Sequence, residues 1–237
     1  MNQLSLVIPV FNGEKYLPQT FQELASFFVN KEYLGEIIFV DDGSTDATSD
    51  LISNFILSNA LEHIQIVHVK ENSGKGKAVK LGISVANPLC EYIGFTDVEL
   101  PYGLEKVGEA IEYFQKHTET DIIIGKRMTQ EQYSPYRKFF KALFRVFLPS
   151  SVRHIVDTQC GFKFFRAPVA RSLFTDIVTD RWVFDVELLV HAVRKNCHVY
   201  ELPVEIKKSC VTPRGGVTLL RHGPSIVRDL LKVTLKE

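Results

Sequence analysis

Short apolar runs alternate with helix-patterned segments over the first 125 residues of the chain. The apolar runs cover 4–10, 36–40, 64–69, 91–95 and 121–125. Continuous Val and Ile runs are typical of strands covered on both faces, as in a parallel sheet. Apolar residues at helical spacing lie between the runs, over 14–29, after Ser44 as N-cap, over 75–87 and over 102–117. This alternation predicts right-handed βαβ units in a three-layer α/β fold.

The pattern changes after residue 125. Residues 135–148 predict a basic, aromatic helix, and 183–196 predict a further helix. Strand-like stretches cover 160–165 and 198–206. Beyond Gly223-Pro224, the final residues predict an amphipathic helix.

Composition excludes several classes of protein. With 45% hydrophobic and 24% charged residues, the 237-residue chain can bury a globular core. Its 28 basic residues balance 28 acidic ones, which disfavours a generally basic nucleic-acid binder. The four cysteines lack metal or redox spacing, which indicates a reducing compartment. Neither a signal peptide nor a run of about 18 apolar residues is present, so we expect a cytoplasmic protein without a transmembrane helix.

Polar residues follow each of the five predicted strands. These clusters cover 11–14, 41–46, 71–77, 96–99 and 126–127. Ligands of open parallel sheets bind at the carboxyl ends of the strands, so the clusters predict one binding rim. A dinucleotide fingerprint and a P-loop are both absent. Paired acids can still accept hydrogen bonds from a base and a ribose, and lysines at a helix N-terminus suit a diphosphate.

Asp97 and Glu99 come directly after the fourth predicted strand. In an extended segment, side chains two residues apart point the same way. Two carboxylates on one side suit Mg²⁺ or Mn²⁺ that bridges a diphosphate. The alternative is that Asp97 and Glu99 are exposed acids of an ordinary loop. Their position on the predicted binding rim favours the interpretation as metal ligands.

These segments carry a family resemblance. VIPVFNGE, VDDGSTDAT, NSGKGKAV and FTDVE, in this order, resemble the nucleotide-binding half of family-2 glycosyltransferases with the GT-A fold. DTQCGFKFF and DRWVFDVELL resemble the dolichyl-phosphate glucosyltransferase branch, which is close to the dolichyl-phosphate mannose synthases. The resemblance implies a three-layer α/β/α domain with a mixed, mainly parallel sheet over 1–206. Its nucleotide-binding half would be 1–125, its acceptor half 126–206, and 207–237 an amphipathic, membrane-interface extension.

The resemblance also implies roles for individual residues. The nucleotide sugar would contact Pro9, Phe11, Glu14, Asp41, Asp42, Asn72, Gly74, Lys75 and Asp97, with Asp42 also ordering its own turn. Asp97 and Glu99 would hold the metal, and Arg127, Arg137 and Lys163 would meet the acceptor phosphate. Gln159, Arg181, Trp182 and Asp185 would form the wall beside the donor sugar and acceptor, and the catalytic residues would be Asp157, Arg127 and Asp97. The chain departs from the family pattern at three positions. Phe11 stands where the family commonly has Tyr, Gly13 is an extra residue between Asn12 and Glu14, and Glu99 stands where the metal motif more often has a second Asp.

The implied reaction is a metal-dependent, inverting transfer of a hexose, with glucose from UDP-glucose favoured, to a polyprenyl (dolichyl or undecaprenyl) phosphate. A phosphomonoester has a second pKa near 6, so the acceptor is an oxyanion at neutral pH and needs no strong base. Asp157 could act as a base, position the donor or hold an Arg or Lys; positioning is favoured. Two alternatives keep the transferase: it could use GDP-mannose or another donor, or it could act on a non-lipid acceptor. Two others are different functions, a nucleotidyltransferase and an inactive nucleotide-binding module.

Two basic regions predict contact with an anionic membrane. Residues 126–153 carry seven basic side chains and one acid, interleaved with Phe and Leu. Residues 207–237 carry seven basic side chains and two acids. Basic amphipathic helices are typical of membrane interfaces, so we expect peripheral attachment to the cytoplasmic face. A helix packed on the core or a dimer contact is the alternative, and the oligomeric state stays open.

Overall fold

One mixed sheet organises the computed structural model, which describes residues 3–28, 34–59, 61–128, 148–210, 226 and 228–234. Its strands are β1 (Leu4–Val10), β2 (Leu34–Asp41), β3 (Ile64–His68), β4 (Tyr92–Thr96), β5 (Ile122–Arg127), β6 (Phe162–Arg166) and β7 (Val199–Val204). They are arranged in the order β3-β2-β1-β4-β6-β5-β7. All strands predicted from the apolar runs are present, with ends that differ by one or two residues.

Helices cover both faces of the sheet, as the uninterrupted apolar strands predict. They are α1 (Leu17–Phe28), α2 (Thr48–Ser58), α3 (Lys75–Val85), α4 (Glu105–Lys116), α5 (Ala167–Asp176) and α6 (Phe184–Arg194). Helices α1, α2 and α4 enclose one hydrophobic core, and α3, α5 and α6 enclose the other. Successive β1 residues alternate between the two cores, since neighbouring side chains of a strand point to opposite faces.

Strand β6 is antiparallel to both of its neighbours, β4 and β5. Strands β4 and β5 therefore run in the same direction, and β4 is parallel to β1. All five strands of the first half thus end at one edge of the sheet, as expected. Strand β6 starts at that edge, which places the residues just before it on the same rim.

One local expectation was wrong, and one helix was missed. Helix α2 begins at Thr48 with Ala47 at the N-cap position, not after Ser44. Helix α5 was not predicted, because it follows β6 without a loop. Its buried residues Ala167, Ala170, Leu173 and Phe174 do have helical spacing, so the signal was present in the sequence.

The described C-terminal residues, 226 and 228–234, pack on the domain. Residues 228–234 are helical, and Ile226, Leu230 and Val233 are buried in the core enclosed by α3, α5 and α6. Their spacing of four and three residues puts them on one helix face. This apolar face covers the protein core, and Arg228 and Lys232 are exposed. Contact of the basic residues of 207–237 with a membrane stays a prediction.

The basic, aromatic segment at 135–148 lies almost entirely outside the described residues, and so does Arg137. Leu148, at its end, is buried in the same core as Val152. None of the helices in the described part of the chain has the length and hydrophobicity needed to span a membrane.

Candidate nucleotide-sugar and acceptor site

The loops after β1 and β2 are bonded to each other. Asn12 donates its N–H to Ser44 Oγ at 2.9 Å, and its side-chain oxygen accepts from the Thr45 N–H at 2.8 Å. Glu14 Oε2 accepts from the N–H of Ala47, at the start of α2, at 3.0 Å. A carboxylate is favourable at a helix N-terminus. Glu14 thus links the two loops, and its contact with a nucleotide stays a prediction.

Pro9 and Asp41 lie on the neighbouring strands β1 and β2, and Phe11 directly follows β1. Val10 pairs with Asp41 in the parallel β1–β2 ladder, and Phe11 is the next residue along the chain. Pro9 is buried in β1, whereas the Phe11 ring is 48% exposed. Asp41 accepts from the Ser44 N–H at 3.0 Å. An exposed ring is suited to stacking on a base, and a carboxylate is suited to accepting a hydrogen bond from it.

Asp42 orders the loop before α3 rather than its own turn. Its Oδ1 accepts from the N–H and Oγ of Ser73 at 2.9 and 2.7 Å. Its Oδ2 accepts from the Gly74 N–H at 2.8 Å and from Asn72 Nδ2 at 3.0 Å. These four bonds occupy the acceptor positions of the carboxylate. Asp42 therefore shapes the β3–α3 loop that carries Lys75, and the expectation that it orders its own turn was wrong.

Gly74 and Gly76 allow this loop to pack against the segment before α6. Gly74 has φ +103°, a conformation that L side chains rarely adopt, and a Cβ there would lie 2.6 Å from the Asp180 carbonyl oxygen. A Cβ on Gly76 would lie 2.7 Å from Cβ of Phe184. Asn72 Oδ1 also accepts from Arg181 at 3.4 Å. The loop before α3 and the segment before α6 are therefore in direct contact at this point.

Lys75 and Asp97 form an ion pair at the centre of the rim. The Lys75 ammonium also lies 5.9 Å from the centre of the Phe95 ring. Burial lowers the pKa of Lys75, but the charges of Asp97 and Asp185 outweigh it and raise that pKa above its ordinary value. Lys75 is thus a fixed cation at the N-terminus of α3, where an anionic diphosphate is favoured.

Asp97 and Glu99 lie in a turn, not in the extended segment that the expectation assumed. The Leu100 N–H donates to the Asp97 carbonyl at 2.9 Å, and Leu100 has φ +46°. Burial, and then the nearby Asp97 charge, raise the pKa of Glu99. The Asp97 and Glu99 charges thus repel each other, and a divalent cation bound to both would relieve that repulsion.

The residues fit a hard divalent cation that is completed by its substrate. The described residues contain no group of three or more His, Cys, Asp or Glu side chains that could hold a metal. Asp97 and Glu99 would supply two oxygen ligands, and a diphosphate and water would supply the others, as is usual for Mg²⁺.

Gly161 is needed to admit the Asp97 carboxylate. A Cβ at Gly161 would overlap Oδ2 of Asp97 and lie 2.7 Å from its Cγ. We expect Gly161→Ala to weaken Mn²⁺ binding about 10-fold or more, as for other residues that orient a metal ligand. Calorimetric titration of Mn²⁺ into protein saturated with UDP measures the change. The melting temperature should change little, because the displaced atoms belong to the end of a side chain; unchanged Mn²⁺ affinity would contradict this role.

Arg127 and Asp157 form a two-point ion pair. Arg127 Nε and Nη2 donate to Asp157 Oδ2 and Oδ1 at 2.5 and 2.7 Å. Asp157 is only 2% exposed. Burial lowers the pKa of Arg127, but the hydrogen-bonded Asp157 charge raises it above its ordinary value. Asp157 thus fixes the plane of the guanidinium, and a planar guanidinium is well suited to binding phosphate.

Lys163 and Asp185 form a buried structural pair. Lys163 is 0% exposed, and its ammonium donates to Asp185 Oδ1 at 2.5 Å, to the Cys160 carbonyl at 2.7 Å and to the Thr158 carbonyl at 3.2 Å. All three donors of the ammonium are therefore used. These contacts correct the expectation that Lys163 meets the acceptor phosphate, and the place of Asp185 in the wall beside the substrates stays a prediction.

Gln159, Arg181 and Trp182 remain candidates for the acceptor side. Gln159 Nε2 is buried and donates to none of the described residues. Arg181 lies at the junction with Asn72, and the Trp182 side chain is 38% exposed. Each keeps a polar or aromatic group that a substrate could contact.

Glu187 was missed by the sequence reasoning. It is 4% exposed, and Oε2 accepts from the N–H and Oγ1 of Thr179 at 2.8 and 2.6 Å. Oε1 accepts from the Val178 N–H at 3.2 Å. Glu187 therefore fixes the segment that leads to Arg181 and Trp182. Its place in the α6 pattern resembles that of an ordinary exposed helix acid, so spacing alone does not identify it.

Comparison with known proteins agrees with this geometry. Residues 5–174 match the model of glycosyl transferase family 2. The dolichyl-phosphate beta-glucosyltransferase of Drosophila melanogaster is 33% identical over 89% of this chain and 70% of that protein. A dolichyl-phosphate beta-glucosyltransferase of Trichomonas vaginalis is 32% identical over 85% of this chain and 65% of that protein. This chain therefore spans about two thirds of the length of these relatives.

A solved structure shows the same fold. Glucosyl-3-phosphoglycerate synthase from Mycobacterium tuberculosis, in complex with Mn²⁺, UDP-glucose and phosphoglyceric acid, superposes with a TM-score of 0.71 at 14% identity. The match covers 99% of this chain and 79% of that one. The fold and its polar rim define a GT-A glycosyltransferase.

The family follows from the matched residues. Because the family model covers most of its length, the chain belongs to glycosyl transferase family 2. The resemblance found in the sequence motifs is thereby confirmed.

Proposed function

We propose that this protein transfers glucose from UDP-glucose to the phosphate of a polyprenyl phosphate, with inversion at the anomeric carbon. One observation carries the choice of acceptor: Asp157, the acid expected as a base, is held in a two-point pair with Arg127. A sugar hydroxyl needs a base to remove its proton, whereas a phosphate is already ionised at neutral pH. The pair thus supports an anionic acceptor bound by Arg127.

The donor would lie along the loops after β1 to β4. Phe11, Pro9 and Asp41 would hold the base, and Asn72 and Lys75 would face the ribose and diphosphate. Lys75 pairs with Asp97 here. A bound diphosphate would compete with Asp97 for this ammonium. When bound, Mg²⁺ or Mn²⁺ at Asp97 and Glu99 would supply Lewis-acid stabilisation of the leaving diphosphate.

Glucose as the transferred sugar is supported by the names of the relatives, and UDP-glucose as the donor is supported by the solved structure that contains it. GDP-mannose stays as the alternative donor. The Phe11 ring and the Asp41 carboxylate would accept uracil or guanine by stacking and hydrogen bonding, so the donor has to be established by assay.

The acceptor would approach between β5 and the segment before α6. Arg127 would bind its phosphate, and Arg137 is a second candidate. Gln159, Arg181 and Trp182 would line the acceptor path. Since a polyprenyl chain lies in a membrane, we propose that the enzyme acts at the cytoplasmic face, with the basic residues of 126–153 meeting anionic lipid.

The acceptor class can be tested by offering two lipids that differ only in the phosphate. Purified protein with Mn²⁺ and radiolabelled UDP-glucose would receive polyprenyl phosphate or the free polyprenol in the same detergent. We expect lipid-extractable label from the phosphate and none from the alcohol, because the alcohol needs a base. Equal labelling of both would contradict the proposed role of Arg127 and Asp157. UDP release without labelled lipid would indicate a non-lipid acceptor.

A further inference from the structure

The turn that carries Asp97 and Glu99 is held from outside through its backbone carbonyls. Thr20 Oγ1, on α1, donates to the Val98 carbonyl at 2.5 Å and is buried. The Cys210 thiol donates to the Glu99 carbonyl at 3.5 Å. The Lys207 N–H donates to the Pro101 carbonyl at 2.8 Å. Helix α1 and residues 207–210, which are distant in sequence, therefore both hydrogen-bond to the short turn at 97–101.

Lys207 also connects these two segments to each other. Its ammonium pairs with Glu23 Oε2 of α1 at 2.5 Å. Both side chains are largely covered, with 30% and 24% exposed. The Cys210 N–H donates to the Lys207 carbonyl at 2.9 Å, which closes the short 3-10 turn Lys208–Cys210. We call Thr20, Glu23, Lys207 and Cys210 the turn clamp.

The turn needs such support because its own conformation is unfavourable. Leu100 has φ +46°, a region that is costly for a bulky residue. Asp97 and Glu99 are two residues apart in this partly buried turn, and like charges there repel each other. Without outside contacts, the turn could relax by moving Glu99 away from Asp97. The clamp bonds the carbonyls of Val98, Glu99 and Pro101, which opposes that movement.

We infer that the turn clamp positions Glu99 for the divalent cation, and that Lys207 is its key positioning residue. This inference rests on the proposed function, because it assumes that Asp97 and Glu99 hold a metal. Breaking the Lys207–Glu23 pair removes the link between the segment 207–210 and α1. It would thereby weaken the hydrogen bonds of Lys207 and Cys210 to the carbonyls of the turn. Residues that orient metal ligands typically change metal affinity 10- to 100-fold. The clamp acts through backbone carbonyls, so we expect about a tenfold effect.

The test compares Lys207→Met with Lys208→Met, the exposed lysine next to it. Mn²⁺ is titrated calorimetrically into each protein saturated with UDP, and the melting temperature is measured alongside. We expect Lys207→Met to bind Mn²⁺ about tenfold more weakly. Lys208→Met should match the unaltered protein. The exchanged pair, Glu23→Lys with Lys207→Glu, should recover much of the affinity.

A purely structural role would give a different pattern. Lys207→Met would then lower the melting temperature and leave the Mn²⁺ affinity unchanged, which would overturn the inference. Because the titration needs no acceptor, failure to transfer glucose to a lipid would not affect it. If the unaltered protein with UDP binds no Mn²⁺, the metal site of the proposed function fails, and the inference fails with it.

Discussion

Replacing Asp157 by Asn is expected to lower kcat about 100-fold while leaving the KM for the donor nearly unchanged. The substitution removes the charge that holds Arg127 through two hydrogen bonds. A displacement of about 1 Å in a positioning group can cost about 100-fold in rate. Steady-state kinetics with UDP-glucose and polyprenyl phosphate would measure the effect. The pH dependence should keep its shape, because the account assigns no proton transfer to Asp157.

A double-mutant comparison separates positioning from base catalysis. If Asp157 acts only through Arg127, Asp157→Asn should have little further effect in an Arg127→Gln background. If Asp157 were a general base, Asp157→Asn would lower kcat by the same factor in the unaltered protein and in Arg127→Gln. Breaking a buried ion pair can destabilise a protein by about 3–5 kcal/mol, so melting temperatures must accompany the rates. Asp176→Asn, which removes a half-exposed partner of Lys195, is a matched control that should retain activity.

Replacing Asp97 by Asn is expected to lower kcat/KM about 1,000-fold and to abolish the effect of Mn²⁺ on UDP binding. Metal stabilisation of a leaving group contributes several kcal/mol, and each 1.4 kcal/mol corresponds to a factor of ten. The substitution also removes the partner of Lys75. Calorimetry with UDP, with and without Mn²⁺, would measure the binding effect independently of turnover.

Glu91→Gln provides the matched control for Asp97→Asn. Glu91 is an exposed acid that directly precedes β4, at the opposite end of the strand from Asp97. Its loss should leave both UDP binding and activity unchanged. Undiminished Mn²⁺-dependent UDP binding in Asp97→Asn would contradict the assignment of the metal site.

The positions of the rim residues could be predicted because they depend on strand direction alone. Val and Ile runs mark the strands, and parallel strands bring their following residues to one edge. The individual roles depend on contacts that spacing does not reveal. Asp42 bonds to residues 31 and 32 positions later, and Glu14 bonds to a residue 33 positions later. Such partners depend on how the loops pack against each other, and the spacing of residues along a single sequence does not show which loops are in contact.

Burial explains the other differences between sequence and structure. A lysine in a strand is expected to be exposed, but Lys163 is enclosed because Asp185 and two carbonyls satisfy its ammonium. The C-terminal helix has the same amphipathic pattern whether it covers lipid or a protein core. Ile226, Leu230 and Val233 show that it covers the core.

The central claim is transfer of glucose from UDP-glucose to a polyprenyl phosphate by the Asp97 metal site. The most direct measurement offers UDP-glucose and GDP-mannose separately, with polyprenyl phosphate and Mn²⁺ or Mg²⁺, and determines the sugar in the lipid extract. The account predicts glucosylated lipid from UDP-glucose, lost with EDTA and in Asp97→Asn. Mannosylated lipid from GDP-mannose alone, or product formation that persists in EDTA, would contradict it.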